Sequence, residues 1–332
     1  MVETRVRIPT GDAVQRIYSV ADSAGLTIIE VTNDSTLPIA VAFTGGGLVS
    51  RRPPTAMPPQ GIDLPADAVI FPVGHHATVI VARPHADCDS LPEGLPSAEQ
   101  VSRGWLAQTQ RASRLQLPDA SMVEAVTSAR CELLLNGPIS VVAGDDIDVA
   151  TFLLGVAELV RMGDRPSSWV PDIATQLERL ARAGTQIPGG TVEAAARVLH
   201  AAGEDRAVAD LRRMGLSSQH DPVADEKPAE PALVPSWAEH HVVTSDEHAA
   251  QLMPRSFPAA WLGADFEAHG LAIGLASTLS FAIRWHGDRP AVLWEVHGAP
   301  MPLTHDTWST GQLSGEALWP AVTVASPNSS FS

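Results

Sequence analysis

The sequence predicts a multidomain α+β protein with an N-terminal β-sandwich, a middle of about three antiparallel helical hairpins and a C-terminal β-rich module. Three observations lead there. Short apolar runs broken by turn residues fill the chain up to Arg83, a helical period takes over after Pro96, and alternating strands return after a polar, proline-rich stretch. The expected boundaries are 1–92 for the sandwich, 93–216 for the helices, 217–235 for a disordered linker and 236–332 for the last module.

In the first part, Leu26-Thr27-Ile28-Ile29-Glu30-Val31 and Ile39-Ala40-Val41-Ala42-Phe43 flank Asn33-Asp34-Ser35 and read as a hairpin. Ala68-Val69-Ile70-Phe71 and Ala77-Thr78-Val79-Ile80-Val81 are β-branched and too short for buried helices, so they form a second pair. Packing two such sheets face to face buries both apolar sides.

Ser97 with Gln100 fits a capping box and opens the first helix. Five further helices follow, after Asp119 to about Asn136, from about Ile147 to Met162, from Pro171 to Ala183, from Thr191 to Ala202 and from Glu204 to Met214. Val149, Phe152, Leu153, Val156, Leu159 and Val160 recur at three and four residues and make one apolar stripe. Short connections favour antiparallel neighbours. Between Ser217 and Pro235 the chain is too polar and proline-rich to bury itself.

The last module holds six of the eight tryptophans, Trp237, Trp261, Trp285, Trp294, Trp308 and Trp319. Its clearest segment, Thr278 to Glu295, is two alternating strands around Gly287-Asp288. With a turn over Gly287 to Pro290 and His286 opposite Ala291, Phe281, Ile283, Trp285, Val292 and Trp294 share one face and Arg284, His286 and Glu295 the other. Two indoles on such a face serve a core or a sugar platform, because indole packs on the C–H side of a pyranose while Arg, His and carboxylates bind its hydroxyls. The substrate-binding candidates are therefore Arg284, Trp285, His286, Trp294 and Glu295, joined by Trp169 and Asp172 at a helix start.

Several functions are disfavoured. A net charge of −16, with only the isolated basic pairs Arg51-Arg52 and Arg212-Arg213, repels nucleic acid and anionic membrane. Cys88 and Cys131 suit neither a disulfide framework nor a zinc site, and His75-His76 alternate across a strand, so no metal is expected. Gly45-Gly46-Gly47 lacks the Lys-Ser/Thr of a phosphate loop, and no other cofactor motif occurs. Met1-Val2-Glu3-Thr4 begins no signal peptide and no apolar run is long enough to span a bilayer, so the expected location is cytoplasmic.

The order of β-sandwich, Trp105 in a first helix, Leu117-Pro118-Asp119 opening a second and paired helices beyond resembles bacterial six-hairpin glycosidases of the glucoamylase-like class, over residues 1–215. That resemblance implies part of an (α/α)6 toroid and carbohydrate chemistry by two carboxylates. With about half the helices of a full toroid and no acid or base aligned, the expectation is a glycosidase-like protein that binds a glycan or oligosaccharide, or supports an enzyme that does, without catalysis. Two alternatives stand beside it. One is an active hydrolase drawing its pair from Asp145, Asp146, Asp172 or Glu295; the other is a protein-interaction scaffold. The open flank of a half toroid calls for cover by the last module, by a second copy or by another protein.

Overall fold

In the computed structural model, which describes residues 1–55, 61–139, 146–183, 190–213, 226–246, 248–306 and 308–322, the chain is a multidomain α+β protein. N-terminal antiparallel sheets are followed by a helical segment and then by C-terminal β-rich sheets. The chain divides into two units, Met1–Trp105 and Leu106–Ser332. Among the described residues no helix is long and apolar enough to cross a membrane.

The first unit contains β1 (Val2–Ile8), β2 (Gly11–Val20), β3 (Leu26–Asn33), β4 (Ile39–Phe43), β5 (Val49–Ser50), β6 (Val69–Val73) and β7 (Thr78–Pro84). A five-stranded antiparallel sheet runs β1-β2-β3-β7-β5, and β4 pairs with β6 in a separate two-stranded sheet. Alternation gives the large sheet two faces. Val31, Val79 and Val81 meet Phe43, Phe71 and Val73 from the small sheet, with the two phenyl rings edge to face at 5.9 Å. Tyr18, Ile28 and Ala82 point the other way and are covered by Leu91 and Ala98.

The expected hairpin of Leu26–Val31 with Ile39–Phe43 does not form. Strand β3 pairs with β2 and β7, while β4 leaves for the other sheet and pairs with β6. The reason lies at Asn33. Its buried side-chain amide donates to Leu37 O at 2.7 Å and Gly74 O at 3.0 Å, and its carbonyl accepts from the Ser35 hydroxyl at 2.7 Å. These bonds satisfy backbone groups that a chain crossing between layers would otherwise bury unpaired. Asn33→Ala should lower stability by roughly 1–3 kcal/mol, the cost of buried unsatisfied groups, read as a lower urea midpoint.

Helix α1 (Ala98–Thr109) leads from one unit to the other, and its capping box is present: Ser97 N donates to Gln100 Oε1 at 2.7 Å and Gln100 N to Ser97 Oγ at 3.3 Å. Strand β8 (Arg114–Gln116) follows, then α2 (Ala120–Asn136), α3 (Asp146–Arg161), α4 (Val170–Ala183), α5 (Thr191–Ala201), α6 (Asp205–Arg213) and α7 (Val234–His240). Asp119 caps α2 by accepting from Met122 N at 3.1 Å. One core unites Val149, Leu153 and Val156 of α3 with Ile173 and Leu180 of α4, Ala195 and Val198 of α5 and Val208 and Leu211 of α6.

Two features depart from the sequence reading. The C-terminal end of the expected linker is built into the fold: Pro231–Leu233 makes a 3-10 turn that runs into α7, and Ala232, Val234 and Ala238 are buried. Positions 217–225 of that stretch lie outside the described residues. The helices and the last module also share a core, since Leu115, Met122, Val126 and Ala129 pack with Val234, Ala238, Leu271 and Phe281. The C-terminal part itself thus covers the flank of α2.

That part comprises β9 (Val243–Ser245), β10 (Ala250–Leu252), β11 (Phe266–Ala272), β12 (Thr278–His286), β13 (Arg289–His297), β14 (Leu303–His305), β15 (Trp308–Thr310) and β16 (Ser314–Leu318). They form a four-stranded sheet, β15-β14-β10-β9, and a five-stranded one, β16-β13-β12-β11-β8. The outermost strand β8 comes from between the first two helices and pairs with β11. At three residues it is too short to announce itself by alternation.

Candidate ligand groove and buried ion-pair cluster

The tryptophan hairpin is core. Strands β12 and β13 pair with His286 opposite Arg289, not Ala291, around a two-residue loop of Gly287 and Asp288. Gly287 has φ 70°, as the first position of a type II′ turn requires. The shift of two residues keeps every side chain on its expected face. Phe281, Ile283, Val292 and Trp294 are buried, and Trp294 donates from Nε1 to Gln312 O at 3.0 Å. The Trp285 ring packs on Phe257 at 5.2 Å with its Nε1 buried. Trp294 is thus enclosed by the core, and Trp285 is half-buried against it.

The polar candidates do not converge. Arg284 is tied to Glu267 at 2.8 Å, His286 is exposed at the hairpin end, and the exposed Glu295 lies 3.6 Å from His297. Glu295 faces Ser280, four positions along β12 from Arg284, a separation of roughly 13 Å at the strand rise. Trp169 belongs to the helical core, edge to face with Phe152 at 6.4 Å, and Asp172 is an exposed acid in the first turn of α4 that favours the helix dipole. Asp145 lies outside the described residues, as does the side chain of Asp146.

Two other places gather polar groups. The first is a groove of about 450 Å3 in the N-terminal unit. The face of β2, β3 and β7 that carries Tyr18 and Ile28 continues outward to Glu30, Thr78 and Ile80, because Glu30 pairs with Ile80 in register. Leu91, Leu95 and Pro96 form one wall, and Arg51 and Arg52, just beyond β5, form another. Backbone carbonyls hold both guanidinium groups, Pro92 O for Arg51 and Pro72 O for Arg52. The Tyr18 hydroxyl donates to Glu30 at 2.6 Å; burial, reinforced by that bond, raises its pKa, so it stays a donor.

The second is a buried cluster in the C-terminal unit. Arg130 of α2 is 3% exposed and reaches Glu158 of α3 at 2.6 Å and Glu239 of α7 at 3.2 Å. Arg161, one turn after Glu158, contacts Glu158 at 2.8 Å and Glu239 at 2.9 Å. The backbone beside β8 completes it: Arg130 donates to Ser113 O, Arg161 to Ala112 O, and the Ser113 hydroxyl to Glu239 at 2.6 Å. Burial opposes the Arg161 charge, but Glu158 and Glu239 overcome it and hold its pKa above the ordinary arginine value. Burial likewise tends to raise Glu239, and Arg161 with Arg130 outweighs it, leaving the carboxyl below its ordinary range.

A glycosidic general acid needs a raised pKa, so a carboxylate clamped by two arginines is a fixed anion and not a proton donor. The sequence held a signal for this cluster. Arg130 shares the apolar stripe of Met122, Val126, Ala129 and Leu133, and Glu158 stands between the buried Val156 and Leu159. A charge on a buried face calls for a partner. Among the described residues no group of three or more His, Cys, Asp or Glu is placed to hold a metal ion. No protein-family model, curated protein or solved structure matches the chain.

Proposed function

We propose that the protein is glycosidase-like and non-catalytic, and that it binds a glycan in the groove of its N-terminal unit. The observation that carries this reading is the groove itself: its volume of about 450 Å3 lies within the range of small-ligand sites, and it joins an apolar floor to a few polar groups. Ile80, Leu95 and Pro96 suit the C–H face of a sugar ring. Glu30 accepts from hydroxyls and Arg51 and Arg52 donate to them.

In this reading the N-terminal sheets act as a β-sandwich module, and the helices stand for part of an α/α toroid, with α3 and α4, and α5 and α6, as packed consecutive pairs. Glu239, clamped by Arg130 and Arg161 with its pKa held down, is unsuited to act as a general acid, which supports binding over hydrolysis. The free thiols Cys88 and Cys131 suit a cytoplasmic setting.

Calorimetric titration with a panel of neutral and acidic oligosaccharides tests the proposal. At least one should bind saturably, and Glu30→Ala or Arg52→Ala should each weaken it about 10-fold or more, the loss of a hydrogen bond to a charged group. Silence across the panel, or unchanged affinity in both variants, removes it.

A further inference from the structure

Next to the ion-pair cluster is a partly enclosed cavity of about 60 Å3, walled by residues of α3, α5, α7, β9 and β11, the last through Ala272. Arg161, Gly190, Glu193, Arg197, Ser236 and His240 line it. By volume it holds about four or five waters, the size of one carboxylate group with its immediate surroundings.

Arg197 differs from the other two arginines nearby. Arg130 and Arg161 are held by Glu158 and Glu239, whereas the buried Nε of Arg197 has no hydrogen-bond partner. A buried donor left unmade is costly, and more so on a charged group. Burial and then the Arg161 charge push the Arg197 pKa down to about 10, so its surroundings do not fully compensate the guanidinium.

The start of α5 adds to the positive potential. Gly190, in the left-handed region at φ 80°, begins this 11-residue helix without a side-chain cap, and the Thr191 hydroxyl beside it is buried and unpartnered. Gly190 and Glu193 line the cavity, so the positive end of the helix dipole lies near it. Glu158 and Glu239 are each neutralised by two arginines. Glu193 is the remaining acid on the wall, and its charge favours a singly over a doubly charged guest.

We propose that this cavity is a binding site for a small monocarboxylate, seated on the guanidinium of Arg197 with Arg161 beside it. The geometry suits it: a planar carboxylate accepts from the fork of an arginine, and a hydroxyl or methyl substituent fits the remaining space. The site lies wholly within the second unit and does not depend on the glycan groove.

The test is calorimetry on the full chain with sodium acetate and sodium glycolate, chloride balancing the ionic strength and inorganic phosphate as comparison. Saturable binding of acetate or glycolate is expected, tighter than that of phosphate. Arg197→Met should weaken it at least 10-fold, and the variant without ligand should melt no lower than the parent, because the change removes a guanidinium whose buried Nε has no hydrogen-bond partner. Ala272→Leu, which enlarges a lining side chain and alters no charge, should also abolish binding. No saturable binding, tighter binding of phosphate, or a large loss of melting temperature in R197M overturns the proposal. Should R197M fail to fold, unchanged affinity in A272L does so alone.

Discussion

Glu239→Ala should destabilise the second unit by about 3–5 kcal/mol, the cost of removing one partner from a buried ion-pair network. The carboxylate receives Arg130, Arg161 and the Ser113 hydroxyl together, so its loss leaves the serine proton without its acceptor and two guanidinium groups to share Glu158. Because these contacts bring together α2, α3, α7 and the backbone next to β8, the loss is felt across four elements. Chemical denaturation followed by tryptophan fluorescence reads it directly, since six of the eight tryptophans lie beyond residue 230. A change below about 1 kcal/mol would mean that the cluster behaves as an exposed salt bridge.

The same residue gives the acid limb its direction. The folded pKa of Glu239 lies below the ordinary carboxyl value of 4.5, so the unfolded chain binds its proton first as pH falls. Its contribution is fully present above that value and is lost as pH drops through the depressed folded pKa. Glu239→Gln should therefore be less stable at neutral pH and show a flatter dependence below pH 4.5. Replacing the whole cluster with apolar residues of similar volume is a different experiment, and such swaps in other proteins cost little.

Helices were legible because their signals are local. The Ser97–Gln100 box, the Asp119 cap and the three-and-four spacing of α3 each lie within a few residues, and the structure places helices there. Strand partnership depends on the rest of the chain. Leu26–Val31 and Ile39–Phe43 are both strands, yet which strand each joins is decided by the buried Asn33 and by the need to cover both faces of one sheet. Helix α7 was hidden because its seven residues include Pro235 and directly follow a polar, proline-rich stretch. Its burial arises from tertiary packing on α2 rather than from its own period.

Site residues were harder still. A groove floor such as Glu30 beside Tyr18 exists only once β2 and β3 are in register, and a tryptophan on an apolar strand face looks alike in sequence whether it meets a sugar or another sheet. The buried charges were missed although they left a local signal. Arg130 and Glu158 interrupt otherwise apolar helix faces, and that interruption is visible without any partner being known.

Trp294→Ala should cost about 3–5 kcal/mol and leave glycan affinity unchanged, the reverse of what a sugar platform would give. The ring is 6% exposed, meets Trp308 edge to face at 5.2 Å, and lies over Gly315, its cross-strand partner on β16. A methyl group at Gly315 would come within 2.6 Å of Trp294 Cζ2, so the glycine is the space the indole occupies. Gly315→Ala should therefore destabilise the parent but cost much less where Trp294 is already alanine. The coupling in that double-mutant cycle, measured by urea denaturation, should exceed about 1 kcal/mol. Additive costs would mean that the ring and the strand do not share that space, and weaker oligosaccharide binding in W294A would return the hairpin to the ligand site.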